Sequence, residues 1–417
     1  MLKEYSPFTP GVPAPLDFFV GRAREIQQFL SAVKKSLDRS SVERLFIIGE
    51  RGIGKSSICR VALTLAERDL KILGLHVFLG GVDSLEEMVR RIFERLLRES
   101  VGKPWHEKVK RFLGDHIKQV DIFGLTIEFS ASKRELAQAV SDFIPTMKNL
   151  LRHFGDEKKG ILLVLDDLNG LAPSPQFANW FKSVVDELAT SSAPMPLTFA
   201  FAGLPERRQQ MAAAQPSLDR VFELIDIQRF HRSETEEFFV KAFGKVGVTV
   251  EAEASNLLCR FSGGYPVFMH ELGDAVFKID NSNVVDRKDA LAGVLRGAEI
   301  IGSKYVEPRI LAALRSERYR GILKKIAREP FEHRFTRKEP FSVWVIRKSR
   351  SWTISCGAWK YWGRSAKIRN MAPAVTSSPA GYIICFSGFR PPRKHSASSA
   401  LHGQLRCVGE YSVLLRR

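Results

Sequence analysis

Eight consecutive residues carry the strongest chemical signal in this sequence: Gly49-Glu50-Arg51-Gly52-Ile53-Gly54-Lys55-Ser56 fits G-x-x-x-x-G-K-[ST] without a mismatch. Glycines at these positions let the backbone take positive φ, so that successive N–H groups turn inward around an anion. A helix starting where the loop ends adds its unpaired N–H groups and the positive end of its dipole. The chemistry indicated is phosphate binding. Lys55 is expected to reach the β and γ phosphates, and the Ser56 hydroxyl, with Ser57 beside it, to face them, Ser56 ligating Mg²⁺. A second signal is Ile161-Leu162-Leu163-Val164-Leu165-Asp166-Asp167, an apolar run ending in two acids. Asp166 is expected to hold Mg²⁺, directly or through water, opposite Ser56. Asp167 is the candidate to orient or deprotonate an attacking water. Taken alone, such a pair could equally cap the turn after a strand; some 110 residues after the phosphate loop it gains weight.

The elements that must position these groups are legible as alternating apolar runs and amphipathic stretches. Residues 45–48 read as a buried strand leading into the loop, and 57–70 as the helix leaving it. Residues 75–79, 161–165 and 196–202 read as three more strands, short and apolar enough to be buried, and 224–227 as a fifth strand. Ser84 with Glu87, and Ser132 with Glu135, have the spacing of capping boxes. The first opens a helix with one apolar face from Leu85 to Leu97. The second opens a helix running to about 154, with a kink expected at Pro145. Alternation around Gly124 suggests a hairpin insertion near 119–129. Strands alternating with helices make the fold class α/β, a five-stranded parallel sheet with right-handed crossovers. A helical lid is expected over 231–315. Ser233 and Glu236 would cap its first helix, and Gly263-Gly264-Tyr265-Pro266 would precede an apolar helix. The division expected is therefore 1–230, 231–315, a short helical module over 316–340, and a tail over 341–417.

Composition narrows the function classes. No apolar run is long enough to span a membrane, and the first 15 residues lack a signal peptide's apolar stretch, so a cytoplasmic protein is expected. Five cysteines without a C-x-x-C pair indicate neither a zinc site nor a disulfide framework. His270, on a helix face, reads as packed or hydrogen-bonded. The net charge of +18 invites a nucleic-acid reading, but residues 341–417 supply +12 of it, with thirteen Lys and Arg against Glu410. That tail also holds four of the six tryptophans and three of the five cysteines. Its composition changes abruptly near Pro340, inside the helix-start signal Thr336 to Glu339. Two accounts stand: an out-of-frame product replacing a C-terminal domain, or a genuine basic tail that binds nucleic acid or an acidic partner.

From residue 19 to about 326 the chain resembles bacterial and archaeal ATPases related to the origin-recognition-complex branch of AAA+ and to the STAND class. The resemblance rests on Val20-Gly21-Arg22, the phosphate loop, the strand ending in Asp166-Asp167, Arg220 before the fifth strand, and Gly264-Tyr265-Pro266. It implies a P-loop NTPase core, a helical lid and a winged helix, of which 316–340 would be a truncated start. It implies ATP with Mg²⁺, bound by the residues from Gly49 through Ser57. The backbone at Val20, Gly21 and Arg22 would lie along the adenine, and Pro266 would couple the lid to the nucleotide. Arg220 sits where such ATPases carry an arginine finger for a neighbour's γ phosphate; a surface or salt-bridged arginine fits the sequence as well. Three departures stand out: Asp167 where AAA+ proteins commonly have Glu, Gly203 where a polar sensor usually closes the fourth strand (Thr198 lies too early), and Gly-Tyr-Pro in place of an arginine-bearing lid helix. The function implied is a Mg²⁺-dependent ATPase acting as a nucleotide-driven switch. The alternatives are a nucleotide-bound signalling scaffold that hydrolyses little, and an initiator-like ATPase bound to DNA. The partners implied are ATP, further copies of the chain, and DNA or protein through the C-terminal module.

Overall fold

A computed structural model describes residues 5–13, 19–114, 117–120, 127–191, 195–311, 382–385 and 412–415. By their internal contacts they divide into two units, 13–228 and 1–12 with 229–417. The first contains α1 (Ala23–Arg39), β1 (Val42–Gly49), α2 (Lys55–Leu70), β2 (Ile72–Phe78), α3 (Leu85–Ser100), α4 (His106–Leu113), β3 (Ile117–Val120), β4 (Ile127–Phe129), α5 (Lys133–Ser141), α6 (Phe143–Phe154), β5 (Gly160–Asp166), α7 (Pro175–Thr190), β6 (Leu197–Gly203), α8 (Pro205–Ala214) and β7 (Glu223–Ile227).

The five apolar runs form one parallel sheet in the order β2-β5-β6-β1-β7. Helices cover both faces, and every residue of β5 and β6 is buried. Register matters most for function. Phe78 pairs with Asp166, Asp166 with Ala202, Ile48 with Gly203, and Gly49 with Ile227. The ends of β1 and β5 therefore share one sheet edge, with β6 between them, where parallel sheets take up ligands. Beneath that edge an aromatic cluster fills the core: Phe181 lies 4.8 Å from Phe201 and 5.4 Å from Phe222, ring centre to ring centre.

Local departures from the sequence reading have identifiable causes. The helix expected from 132 to 154 is two helices, broken at Asp142. Pro145 has no N–H and its ring excludes the carbonyl four residues back, so the break falls before the proline instead of at it. Antiparallel β3 and β4 form the expected insertion hairpin, starting two residues early. Ser132 and Glu135 form the full capping box; Ser84 accepts from the Glu87 N–H, but the Glu87 carboxylate bonds Arg90 and Arg91 and does not reach back.

The second unit contains α9 (Arg232–Gly244), β8 (Thr249–Val250), α10 (Ala252–Ser262), α11 (Pro266–Ile279), β9 (Val284–Val285) and α12 (Arg287–Ile301), extended by a π-helical stretch, Gly302–Leu311. α9 starts two residues earlier than expected, capped at His231 and not Ser233; Glu234, not Glu236, reaches back, accepting the His231 N–H at 2.8 Å. β10 (Tyr382–Cys385) and β11 (Ser412–Leu415) pair antiparallel. The expected winged-helix start, 316–340, and most of the tail lie outside the described residues.

Sequence patterning assigned residues 1–230 to one unit, yet Phe8 packs with the helices that follow residue 229. Its ring is 4% exposed and lies 4.9 Å from Phe243, 6.0 Å from Phe238 and 6.3 Å from Phe239. Gly273 makes room for it: a Cβ there would lie 2.3 Å from the ring. The Thr9 N–H donates to His270 Nδ1 at 3.1 Å, so His270 accepts only in its neutral form.

Phe8→Ala is expected to lower stability by about 3 kcal/mol, through lost burial and the cavity left, in urea unfolding of the full chain. Burial pushes the His270 pKa from 6.5 down to about 4. The unfolded chain therefore binds the extra proton between those values. The contribution is complete above about pH 6.5 and is lost as pH falls toward 4, a change of roughly 3 kcal/mol. His270→Asn, which keeps an acceptor and does not titrate, should flatten the stability–pH slope in that window.

Candidate functional site

β1 delivers the phosphate loop to the sheet edge, and its last residue must be glycine. A Cβ on Gly49 would lie 2.9 Å from both the Ile227 carbonyl oxygen and Ile53 Cγ2, so β7 and the loop could not close on β1. Gly52 (φ 79°) and Gly54 (φ 97°) take left-handed conformations that other residues rarely adopt. The buried Ile53 side chain anchors the loop, while Arg51 is exposed. Gly54 is the N-cap of α2 and accepts from the Ile58 N–H at 3.0 Å. Lys55, Ser56 and Ser57 form the first turn, which contains no acidic residue to compete with a bound anion.

Lys55 curls back over the loop, donating from Nζ to the carbonyl oxygens of Gly49 (3.0 Å) and Glu50 (2.8 Å). Burial lowers its pKa. Asp166 opposes this most strongly, and Asp167 acts in the same direction. The charges singled out in the sequence thus converge on one another. Burial also raises the pKa of Cys59, one turn along α2, and Asp166 adds to the rise; Cys59 is a neutral thiol packed under the site.

The two carboxylates differ in their surroundings. Asp166 ends β5 at 4% exposure, and its Oδ2 lies 3.0 Å from His76 Nε2 on neighbouring β2. The His76 ring stacks on Phe78, 4.5 Å between centres. Asp167 leaves the sheet in a left-handed conformation (φ 61°), with its N–H on the Ala202 carbonyl at 3.2 Å. Its Oδ1 accepts from the Asn169 side-chain amide, and Asn169 Oδ1 accepts from Arg207 Nε at 2.8 Å. Thr198 pairs with Leu162, well down the strands, and Gly203 ends β6 at the edge. The sequence reading missed His76, Asn169 and Arg207. One signal was available for His76: a histidine inside a fully apolar strand needs a buried polar partner.

The remaining candidates lie on other elements. Val20 is buried, and Gly21 and Arg22, both at φ 63°, turn the chain into α1, which packs on α2. Arg22 bonds Glu25 at 3.4 Å. Arg220 ends a 3₁₀ turn, Pro216–Arg220; it is exposed and makes no ion pair among the described residues, whereas its neighbour Asp219 binds Arg208 at 2.6 Å. Pro266 opens α11 in the second unit. The turn before it is close-packed: a Cβ on Gly264 would meet the Phe230 carbonyl at 2.3 Å.

These residues fit a nucleotide with Mg²⁺. A loop of left-handed glycines leads into a helix N-terminus, a half-buried lysine tops it, and Ser56 and Asp166 would supply the one or two oxygen ligands that Mg²⁺ takes from protein beside phosphate.

Such a sheet, with a phosphate loop after β1 and an acid ending β5, defines the P-loop NTPase fold. Residues 19–219 match the family model described as an AAA ATPase domain. Over those residues the chain is therefore similar to an AAA ATPase domain, a nucleotide-binding ATPase module of a family that typically uses Mg²⁺. The ADP form of the ORC2 protein of Aeropyrum pernix is similar in fold at 12% identity, covering 86% of this chain and 89% of that one, TM-score 0.51. A Walker-type ATPase of Pyrococcus abyssi matches at 17% identity over 78% and 83%, TM-score 0.49. The RuvB Holliday junction branch migration motor of Thermotoga maritima matches at 14% over 76% and 79%, TM-score 0.43. No curated protein matches by sequence. Among the described residues no helix is long and apolar enough to cross a membrane.

His76→Phe leaves the Asp166 carboxylate buried without that donor. It is expected to lower stability by about 1–3 kcal/mol, read from the urea midpoint of the full chain. An unchanged midpoint would mean that Asp166 is satisfied without His76.

Proposed function

We propose that this protein is a Mg²⁺-dependent ATPase of the origin-recognition-complex-like and STAND type, hydrolysing ATP to ADP and phosphate and switching conformation as it does so. The observation that supports this most is the convergence of Lys55 with Asp166 and Asp167 at the sheet edge, where the charge of Lys55 is opposed by burial and favoured by both acids. In this reading the N–H groups from Gly49 to Ser57 cradle the phosphates, and Lys55 gives up its loop carbonyls for β and γ oxygens. Ser56 and Asp166 hold Mg²⁺, which when bound neutralises phosphate charge. Asp167 orients the attacking water and takes its proton. Val20, Gly21 and Arg22 border the adenine. Arg220, exposed and without an ion pair among the described residues, is offered to the nucleotide of a neighbouring copy. DNA or a protein partner would engage the C-terminal module. The assignment of a cytoplasmic protein belongs to this same reading.

A second reading, a switch that binds ATP with little turnover, draws on Gly203, which puts no side chain at the end of β6. ATP binding and turnover by the full chain with Mg²⁺ separate the two. Under the ATPase reading wild type turns over. Lys55→Ala loses both binding and turnover, while Asp167→Asn binds ATP normally and loses about a hundredfold or more in kcat. Binding without wild-type turnover would put the switch in its place.

A further inference from the structure

Asp167 stands in a left-handed conformation, φ 61°, that non-glycine residues adopt rarely. Several bonds over-determine it. Its N–H is held by the Ala202 carbonyl, and its own carbonyl takes the Asn169 N–H at 2.8 Å. Its carboxylate Oδ1 takes the Asn169 side-chain amide. That amide has only one tolerable orientation. Its oxygen accepts from Arg207 Nε at 2.8 Å, while Arg207 Nη1 is tied to Gln210 Oε1 at 2.8 Å on the same helix. Rotating the amide would turn its oxygen toward a carboxylate and its NH₂ toward a guanidinium, both repulsive.

Gly203 gives β6 a bare end, and the Arg207 Cβ lies at ordinary contact distance, 3.6 Å, from where a Gly203 Cβ would stand. Gly80, after β2, lies against the other oxygen: a Cβ there would be 2.9 Å from Asp167 Oδ2.

Resting on the ATPase reading, we infer that Arg207 and Asn169 are positioning residues for the catalytic acid: Arg207 locks the Asn169 amide, Asn169 holds Asp167 Oδ1, and Oδ2, kept uncovered by Gly80, is the atom that meets water. The end of β6, which offers no polar side chain of its own, is served from α8 across the strand.

The test is steady-state turnover and ATP binding by the full chain with Mg²⁺. Asn169→Ala should lower kcat about 10- to 100-fold with KM within about threefold, because the group acts on the chemical step and not on ground-state binding. Arg207→Ala should lower kcat about tenfold in the same pattern. The double variant should be no slower than Asn169→Ala, since Arg207 acts only through Asn169. Asn169→Asp guards against misfolding. It is nearly isosteric and keeps the Arg207 bond, but opposes Asp167 with an oxygen; kcat should fall as for Asn169→Ala while the chain still unfolds cooperatively in urea. The inference is overturned if Asn169→Ala turns over within twofold of wild type, if KM and not kcat moves, or if the two single losses multiply in the double variant. If wild type binds ATP without turnover, the ATPase reading itself fails and this assignment falls with it, a result distinct from active variants beside an active wild type.

Discussion

The parallel register of β1, β6 and β5 is the constraint on which the site depends. Ile48 beside Gly203 and Ala202 beside Asp166 put the phosphate loop and the first carboxylate on one edge, one strand apart. A slip of one residue in β5 would draw Asp166 into a layer whose other members are fully buried and apolar, at the cost of burying a carboxylate deeper. The hydrophobic pattern of β5 therefore fixes the position of its own acid. The same edge concentrates a lysine and two carboxylates where water is partly excluded. That strengthens their mutual attraction, and it is why burial and Asp166 pull the Lys55 pKa in opposite directions.

Support for the two acids comes from different elements, in a way that suits different tasks. Asp166 is held from β2 by a rigid ring that is itself stacked on Phe78. Asp167 is outside the sheet, held by a side-chain amide and a helix-borne arginine. Under the proposed reading, the acid that would keep one place for a metal is built on paired strands, and the acid that would aim at a water is built on a loop whose aim is set by hydrogen bonds. Glycines appear wherever backbone or oxygen must come closer than a Cβ allows, at Gly49, Gly80 and Gly264.

How far this was legible in the sequence follows from the range of the forces involved. The inner strands were visible because a strand covered on both faces is apolar throughout, and the Ser132 capping box formed because its partner is three residues away, whereas the Glu87 carboxylate turns to Arg90 and Arg91. The phosphate loop and Asp166-Asp167 were visible for the same local reason. His76 was not, since its role needs β2 beside β5, which joins residues 90 apart in sequence. Asn169 and Arg207, 38 apart, depend on α8 crossing the end of β6. At α9 two overlapping Glu signals competed, and Thr235, whose hydroxyl donates to the His231 carbonyl at 2.9 Å, sides with the earlier start.

The assignment of Phe8 was illegible for a related reason, and it bears on how the chain assembles. Phe8 meets Phe238 across 230 positions, so the helical unit is built from both sides of the phosphate-binding unit. Closing so long a loop costs only logarithmically more than closing a short one, about 0.6 kcal/mol per doubling. Burying a phenylalanine ring returns more than that increment, roughly 1.5–3 kcal/mol. Phe8 in turn helps complete the core around α11, packing on His270 and filling the space left at Gly273. Residues that precede the phosphate loop in sequence thus stabilise the unit that follows it.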